Sequence, residues 1–154
     1  MTRRTLLSAL FVLTVLPFAL ACSSAQDGIT SWVDGTSTVG VGDRFEITAH
    51  VKNESGSVAD LDSIDIGDSY LEGVRVVGSE PAFMGTMPVA DGTLSHSFSH
   101  PVQPGETVAV TFQMEAVQPG THQGDFDICV NSVWDCNFLS VTTVVQGSPA
   151  SQAP

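Results

Sequence analysis

Two stretches, "RFEITAHVKN" from Arg44 and "TVAVTFQMEA" from Thr107, alternate apolar and polar side chains with a period of two. In the first, Phe45, Ile47, Ala49 and Val51 share one face while Arg44, Glu46, Thr48, His50 and Lys52 share the other. In the second, Val108, Val110, Phe112, Met114 and Ala116 alternate with Thr107, Ala109, Thr111, Gln113 and Glu115. Such segments are strands with one buried and one wet face, so each must lie in a sheet whose inner face is covered. The doubly covered strands of a parallel α/β sheet would read as continuous apolar runs instead. Turn formers bound both stretches: "VGVGD" and "NESGS" around the first, two Pro-Gly pairs around the second.

The remaining chain has the same grammar, less clearly. "DLDSIDIG" reads as a weaker strand, "SYLEGVRVV" as a turn at Glu72-Gly73 followed by a strand through Val74 to Val77, and "TLSHSF" as another. "DFDICV" and "FLSVTTVV" flank "NSVWDC" as a hairpin. Outside the first twenty residues no window keeps a helical period. About seven or eight short strands at regular spacing predict an all-β, two-sheet antiparallel sandwich over residues 29–145. A chain of 154 residues suits one such domain.

The N-terminus has the three parts of a secretory signal over residues 1–21: the positive start "MTRRT", an apolar run from Leu6 to Leu16, and the small-residue end "ALA" before Cys22. The apolar run falls short of the about 20 residues a membrane span needs. "ALAC", Ala19 to Cys22, resembles the lipobox of bacterial lipoproteins, with Ala19 and Leu20 in the reverse of the family's usual order. That resemblance implies acylation of Cys22; the same residues also fit the ordinary signal-peptidase pattern, which would leave a free thiol. "RR" likewise resembles a twin-arginine export motif, although an ordinary positive start accounts for it. Residues 22–28 then form a short polar tether, of which the six after the cysteine reach at most about 20 Å. Ser23 resembles the outer-membrane sorting pattern of Gram-negative lipoproteins. The expected location is the cell envelope, membrane-anchored, and the outer membrane if the cell has one. Residues 146–154, with no apolar side chain larger than Ala before the end, read as a disordered tail.

The segments "FEITAHVKNESGS", "GDSYLEGVRVVGSEP" and "QPGETVAVTFQMEAVQPGTHQGDFDIC" resemble bacterial Ig-like repeat domains. The matching positions are Asn53 and Gly56, Leu71, Gly73 and Val74, Pro104-Gly105-Glu106, and Pro119-Gly120. The resemblance implies an Ig-like fold and a role as spacer, adhesion module or assembly domain, with no catalytic residue carried over.

Charge narrows the partners. Beyond the leader only Arg44, Lys52 and Arg75 oppose seventeen acidic residues, so electrostatics disfavours nucleic acid and anionic headgroups as partners. Of three cysteines, Cys129 and Cys136 stand on the two arms of the last hairpin, where an exported protein would form a disulfide. The spacing suits neither a redox pair nor zinc without further ligands. Trp134 at the tip, with Val133 beside it, is either a partner-binding hot spot or local cover folded over the disulfide.

No other constellation reaches a recognisable chemistry. His96 and His100 in "HSFSH" would lie about 13 Å apart on a strand, too far to share an ion, leaving each to seek His50 or His122. Asp60, Asp62, Asp65 and Asp68 resemble a calcium loop, but Ile64 and Asp65 occupy positions where a ligand and the turn glycine belong. The chain has no nucleophile elbow, no zinc-protease helix, no phosphate loop and no cofactor motif. The sequence therefore predicts an envelope lipoprotein whose domain is a non-catalytic interaction or structural module, with a protein partner in the envelope. A cation- or glycan-binding protein is the alternative, and a hydrolase the remote one.

Overall fold

The computed structural model describes residues 26–35 and 38–147; the leader, Cys22 and the tail from 148 onward lie outside the described residues. Ten strands follow in order: β1 (Ile29–Gly35), β2 (Thr38–Gly40), β3 (Arg44–Asn53), β4 (Ala59–Gly67), β5 (Val74–Glu80), β6 (Gly85–Val89), β7 (Thr93–Val102), β8 (Thr107–Ala116), β9 (Gly120–Val130) and β10 (Cys136–Gln146). A short helix, α1 (Asp68–Leu71), separates β4 from β5. They form a four-stranded sheet, β1-β3-β8-β5, and a six-stranded sheet, β2-β10-β9-β4-β7-β6. Every pairing is antiparallel except the short parallel match of β2 to β10.

The two clearest strands of the sequence lie side by side. β3 and β8 place Phe45 opposite Met114, Ile47 opposite Phe112, Ala49 opposite Val110 and Val51 opposite Val108. Their shared apolar face meets Leu61, Ile64, Ile66, Phe98, Phe126, Ile128 and Val130 from the second sheet. Phe112 sits at the centre, edge-to-face with His96, Phe98 and Phe126. Edge-to-face pairs contribute beyond the area they bury.

"DLDSIDIG" is a central strand, flanked by β9 and β7. A bulge between Leu61 and Ser63 breaks its alternation, so Leu61, Ile64 and Ile66 all face the core while Ser63 and Asp65 face outward. The Glu72-Gly73 turn is preceded by the helix, which drives Tyr70 inward, fully buried, with its hydroxyl 2.8 Å from Thr143 Oγ1. Gly124 makes that possible, since a Cβ there would lie 2.6 Å from Tyr70 Cβ.

Asn53, fully buried, organises the "NESGS" turn. Its amide donates to the carbonyls of Ser57 and Val102, and its oxygen accepts from the Ser55 amide and hydroxyl. The chain is already part of the fold at Gln26, which is buried, and β10 continues through Gln146.

Candidate functional site

β9 and β10 run antiparallel from Cys129↔Cys136 to Gly120↔Val145. The hairpin is closed by a Cys129–Cys136 disulfide, Cα to Cα 4.0 Å. The Val130 amide donates to the Asp135 carbonyl beyond it. Asn131, at φ 64°, turns the loop and exchanges two hydrogen bonds with Asp60: its amide donates to the Asp60 carbonyl, and its Oδ1 accepts from the Asp60 amide. The Gln26 amide donates to the carbonyls of Val130 and Asp135. The loop is thus fixed by its own bridge, by β4 and by the segment entering β1.

On this rigid support Trp134 is 88% exposed and Val133 53% exposed. Trp134 does not fold over the disulfide. Phe138, near the start of β10, is a further exposed aromatic at 71%.

Beside the hairpin, the outer face of the six-stranded sheet carries an acidic cleft of about 260 Å³. The registers define its floor. Met87 pairs with Ser95, Ser95 with Asp65, Asp65 with Asp127, and Asp127 with Phe138, one row across β6, β7, β4, β9 and β10. Met87 and Val89 wall one side, Trp134 and Phe138 the other, and Asp91 reaches in from the β6–β7 turn. Residues opposite one another in a sheet stand about 5 Å apart at Cβ, so Asp65 and Asp127 are close like charges.

Asp127 is only 8% exposed, and its Oδ1 has no hydrogen-bond partner; Asp65 Oδ1 and Ser63 Oγ, on the same face, also lack one. Burial, then the charges of Asp125, Asp65 and Asp91, push the Asp127 carboxyl up to about 6, against a smaller opposing hydrogen bond from the Leu139 backbone. Among the described residues no cation relieves this. Arg44 and Lys52 lie on β3 and Arg75 on β5, all in the other sheet, with Lys52 held by Glu54 at 2.6 Å and Arg75 by Glu115 at 2.8 Å.

The histidines are dispersed. His96 is buried, its ring edge-on to Phe83 and Phe112, and burial lowers its pKa, keeping it neutral in the core. His50 stacks on Trp32 at 4.7 Å and meets Asp34 at 3.1 Å on the opposite sheet. His122 packs over Gly73, where a Cβ would lie 2.0 Å from its Nε2. Asp60, Asp62 and Asp65 follow one another along β4 and Asp68 opens α1, so they form no single loop. Among the described residues one group, Asp65 with Cys129 and Cys136, brings three ligand atoms within 4.8 Å, but both sulfurs are spent in the disulfide. A second cleft, about 530 Å³, opens at the β5–β6 edge between Leu71, Val74, Phe83 and Leu94, with His96 in its wall.

Sequence reasoning found the disulfide and the Trp134 tip and missed the cleft beside them. The outward alternation of Asp125, Asp127 and Cys129 in "DFDICV" was the available signal; the register that sets Asp127 against Asp65 was not.

No family model and no curated protein matches the chain. Solved structures do. A cohesin module from a family 33 glycoside hydrolase of Clostridium perfringens superposes with a TM-score of 0.51 at 12% identity, over 78% of this chain and 98% of that one. AvmM, which catalyses macrocyclization in alchivemycin A biosynthesis, gives 0.50 at 11% identity, over 83% and 94%. A CARDB domain of Pyrococcus furiosus gives 0.47 at 20% identity, over 76% and 86%. A fold shared by a module of a glycoside hydrolase and a macrocyclization catalyst leaves activity to the site itself. The likeness agrees with the topology: the described chain is an Ig-like β-sandwich.

Proposed function

We propose that this chain is an exported, non-catalytic interaction module, held at a membrane of the cell envelope by a lipid on Cys22 and binding a protein partner through the disulfide hairpin and the adjacent cleft. The exposure of Trp134 on an immobilised loop carries the proposal. A large aromatic left in water on a rigid support costs little ordering entropy when it is buried by a partner, the profile of a binding hot spot. Trp134→Ala is expected to abolish association with the envelope partner while leaving the melting temperature unchanged; undiminished association would sink the proposal. Mass spectrometry of the mature N-terminus tests the anchor separately, and an unmodified Cys22 thiol would overturn it.

One observation favours a second reading. Asp65 and Asp127 are adjacent carboxylates with one held protonated to about pH 6, which is the charge pattern of a glycoside hydrolase pair. A cleft of about 260 Å³ lies below the roughly 300–1,000 Å³ of small-molecule sites and does not enclose a sugar on both sides of a bond. Turnover of glycoside substrates, lost in Asp65→Asn, would establish the hydrolase instead.

A further inference from the structure

We infer that the cleft is a recognition pocket for one basic side chain, Lys or Arg, of a partner polypeptide. The inference rests on the interaction-module reading and specifies its chemistry. Asp127, more than nine-tenths buried, lines the cleft and carries an unpartnered Oδ1, and Asp65 beside it has an unpartnered Oδ1 as well. Buried carboxylate oxygens are stabilised by charge-assisted hydrogen bonds, and this sheet has no Lys or Arg of its own to supply them. A cationic side chain from a partner would supply those donors.

The walls select the kind of cation. Trp134 and Phe138 on one side and Met87 and Val89 on the other are apolar, suited to the alkyl stem of Lys or Arg and to a cation over an aromatic face. A bare divalent ion would leave those walls unused and needs several oxygens at short range. Among the described residues, Asp65, Asp91 and Asp127 do not converge as a ligand set. The volume suits a side chain better than a whole ligand. Val133, Trp134 and Phe138 line the cleft yet remain largely exposed, so a free amine would leave much of them bare while a polypeptide presenting the cation would cover them.

The test uses the mature chain with Trp32→Phe, which leaves Trp134 as the single reporter. Blocked Gly-Lys-Gly and Gly-Arg-Gly peptides are expected to change its emission saturably, with Gly-Gln-Gly at least ten-fold weaker. Asp127→Asn should weaken the basic peptides at least ten-fold, and Asp65→Asn serves as the second variant. Lowering the pH from 7.5 to 5 should weaken them as well. The groups facing Asp127 are Asp65 from β4, Asp125 on its own strand and Asp91 from the β6–β7 turn, while β10 presents uncharged Phe138 and Leu139. An equal response to Gly-Gln-Gly, or no loss in both variants, overturns the inference. A saturable calcium response abolished by Asp127→Asn assigns a metal instead, and methylammonium matching the peptides removes the polypeptide as occupant. If the basic peptides fail while Trp134→Ala still releases the envelope partner, the inference falls and the module reading stands.

Discussion

Asp127 concentrates the tension between folding and binding in this protein. Other buried polar side chains are paired, as where Asn53 satisfies the "NESGS" turn and Tyr70 meets Thr143, while Gln26 Oε1 and His96 Nδ1 lack a partner. Of the buried polar atoms without a partner, Ser63 Oγ, Asp65 Oδ1 and Asp127 Oδ1 share the outer face of one sheet. Their placement has a thermodynamic signature. The Asp127 carboxyl titrates near 6 when folded against 3.8 as a free side chain, so the folded state holds the proton more tightly. Its contribution is full below about pH 4 and is lost as the pH rises through 6. Asp127→Asn should therefore stabilise the protein at pH 8 by about 1–3 kcal/mol and leave it nearly unchanged near pH 4, as read by thermal unfolding at both values. An Asn variant no more stable than the parent at pH 8 would refute the account of this residue as a stored electrostatic cost that a cationic ligand relieves.

At the scale of elements, the disulfide hairpin turns two strands into a platform. Cys129 and Cys136 close a loop with a sequence separation of 7. A closed loop of that size stabilises by about 2–3 kcal/mol through the unfolded state. Cys129→Ala with Cys136→Ala should lower the denaturation midpoint by that amount and cut affinity for the partner further, because the loop bearing Trp134 loses its bridge. A variant that loses stability but binds as before would show that Asn131 and Gln26 hold the loop unaided. The hairpin was legible in the sequence because two cysteines and two alternating runs are local signals. β1, β2 and β6 were not, and each is a sheet edge. Edge strands bury less, so their pattern is faint, and Pro88 within β6 is tolerated only because that strand has one neighbour. β4 was legible only as a weaker strand, because its bulge spaces Leu61 and Ile64 three apart. The cleft was hidden by register: Asp65 and Asp127 meet only because β4 pairs with β9, a choice no stretch around either residue encodes.

Over the whole molecule, charge and attachment point the same way. Arg44, Lys52 and Arg75 all lie on one sheet, leaving the other with carboxylates alone to face a basic partner. Gln26 is bonded to the hairpin loop, so the chain enters the sandwich beside the cleft. Cys22 precedes Gln26 by four residues, a reach of at most about 14 Å. A lipid on Cys22 would then hold the Trp134 end of the sandwich close to the bilayer, and the partner would have to offer its basic side chain near the membrane surface. This geometry can be measured without relying on natural acylation, because Cys22 is the one cysteine outside the disulfide and can be coupled to a maleimide lipid in the mature protein. With Trp32→Phe, energy transfer from Trp134 to dansyl headgroups should be strong at the native spacing. Twenty Gly/Ser residues inserted after Ala25 would add roughly 25 Å of root-mean-square reach and should reduce it several-fold. Peptide binding in solution should be the same for both spacings. Equal transfer from the short and long tethers would mean that the bilayer distance is not set at Gln26, and that the membrane-proximal orientation of the cleft is wrong.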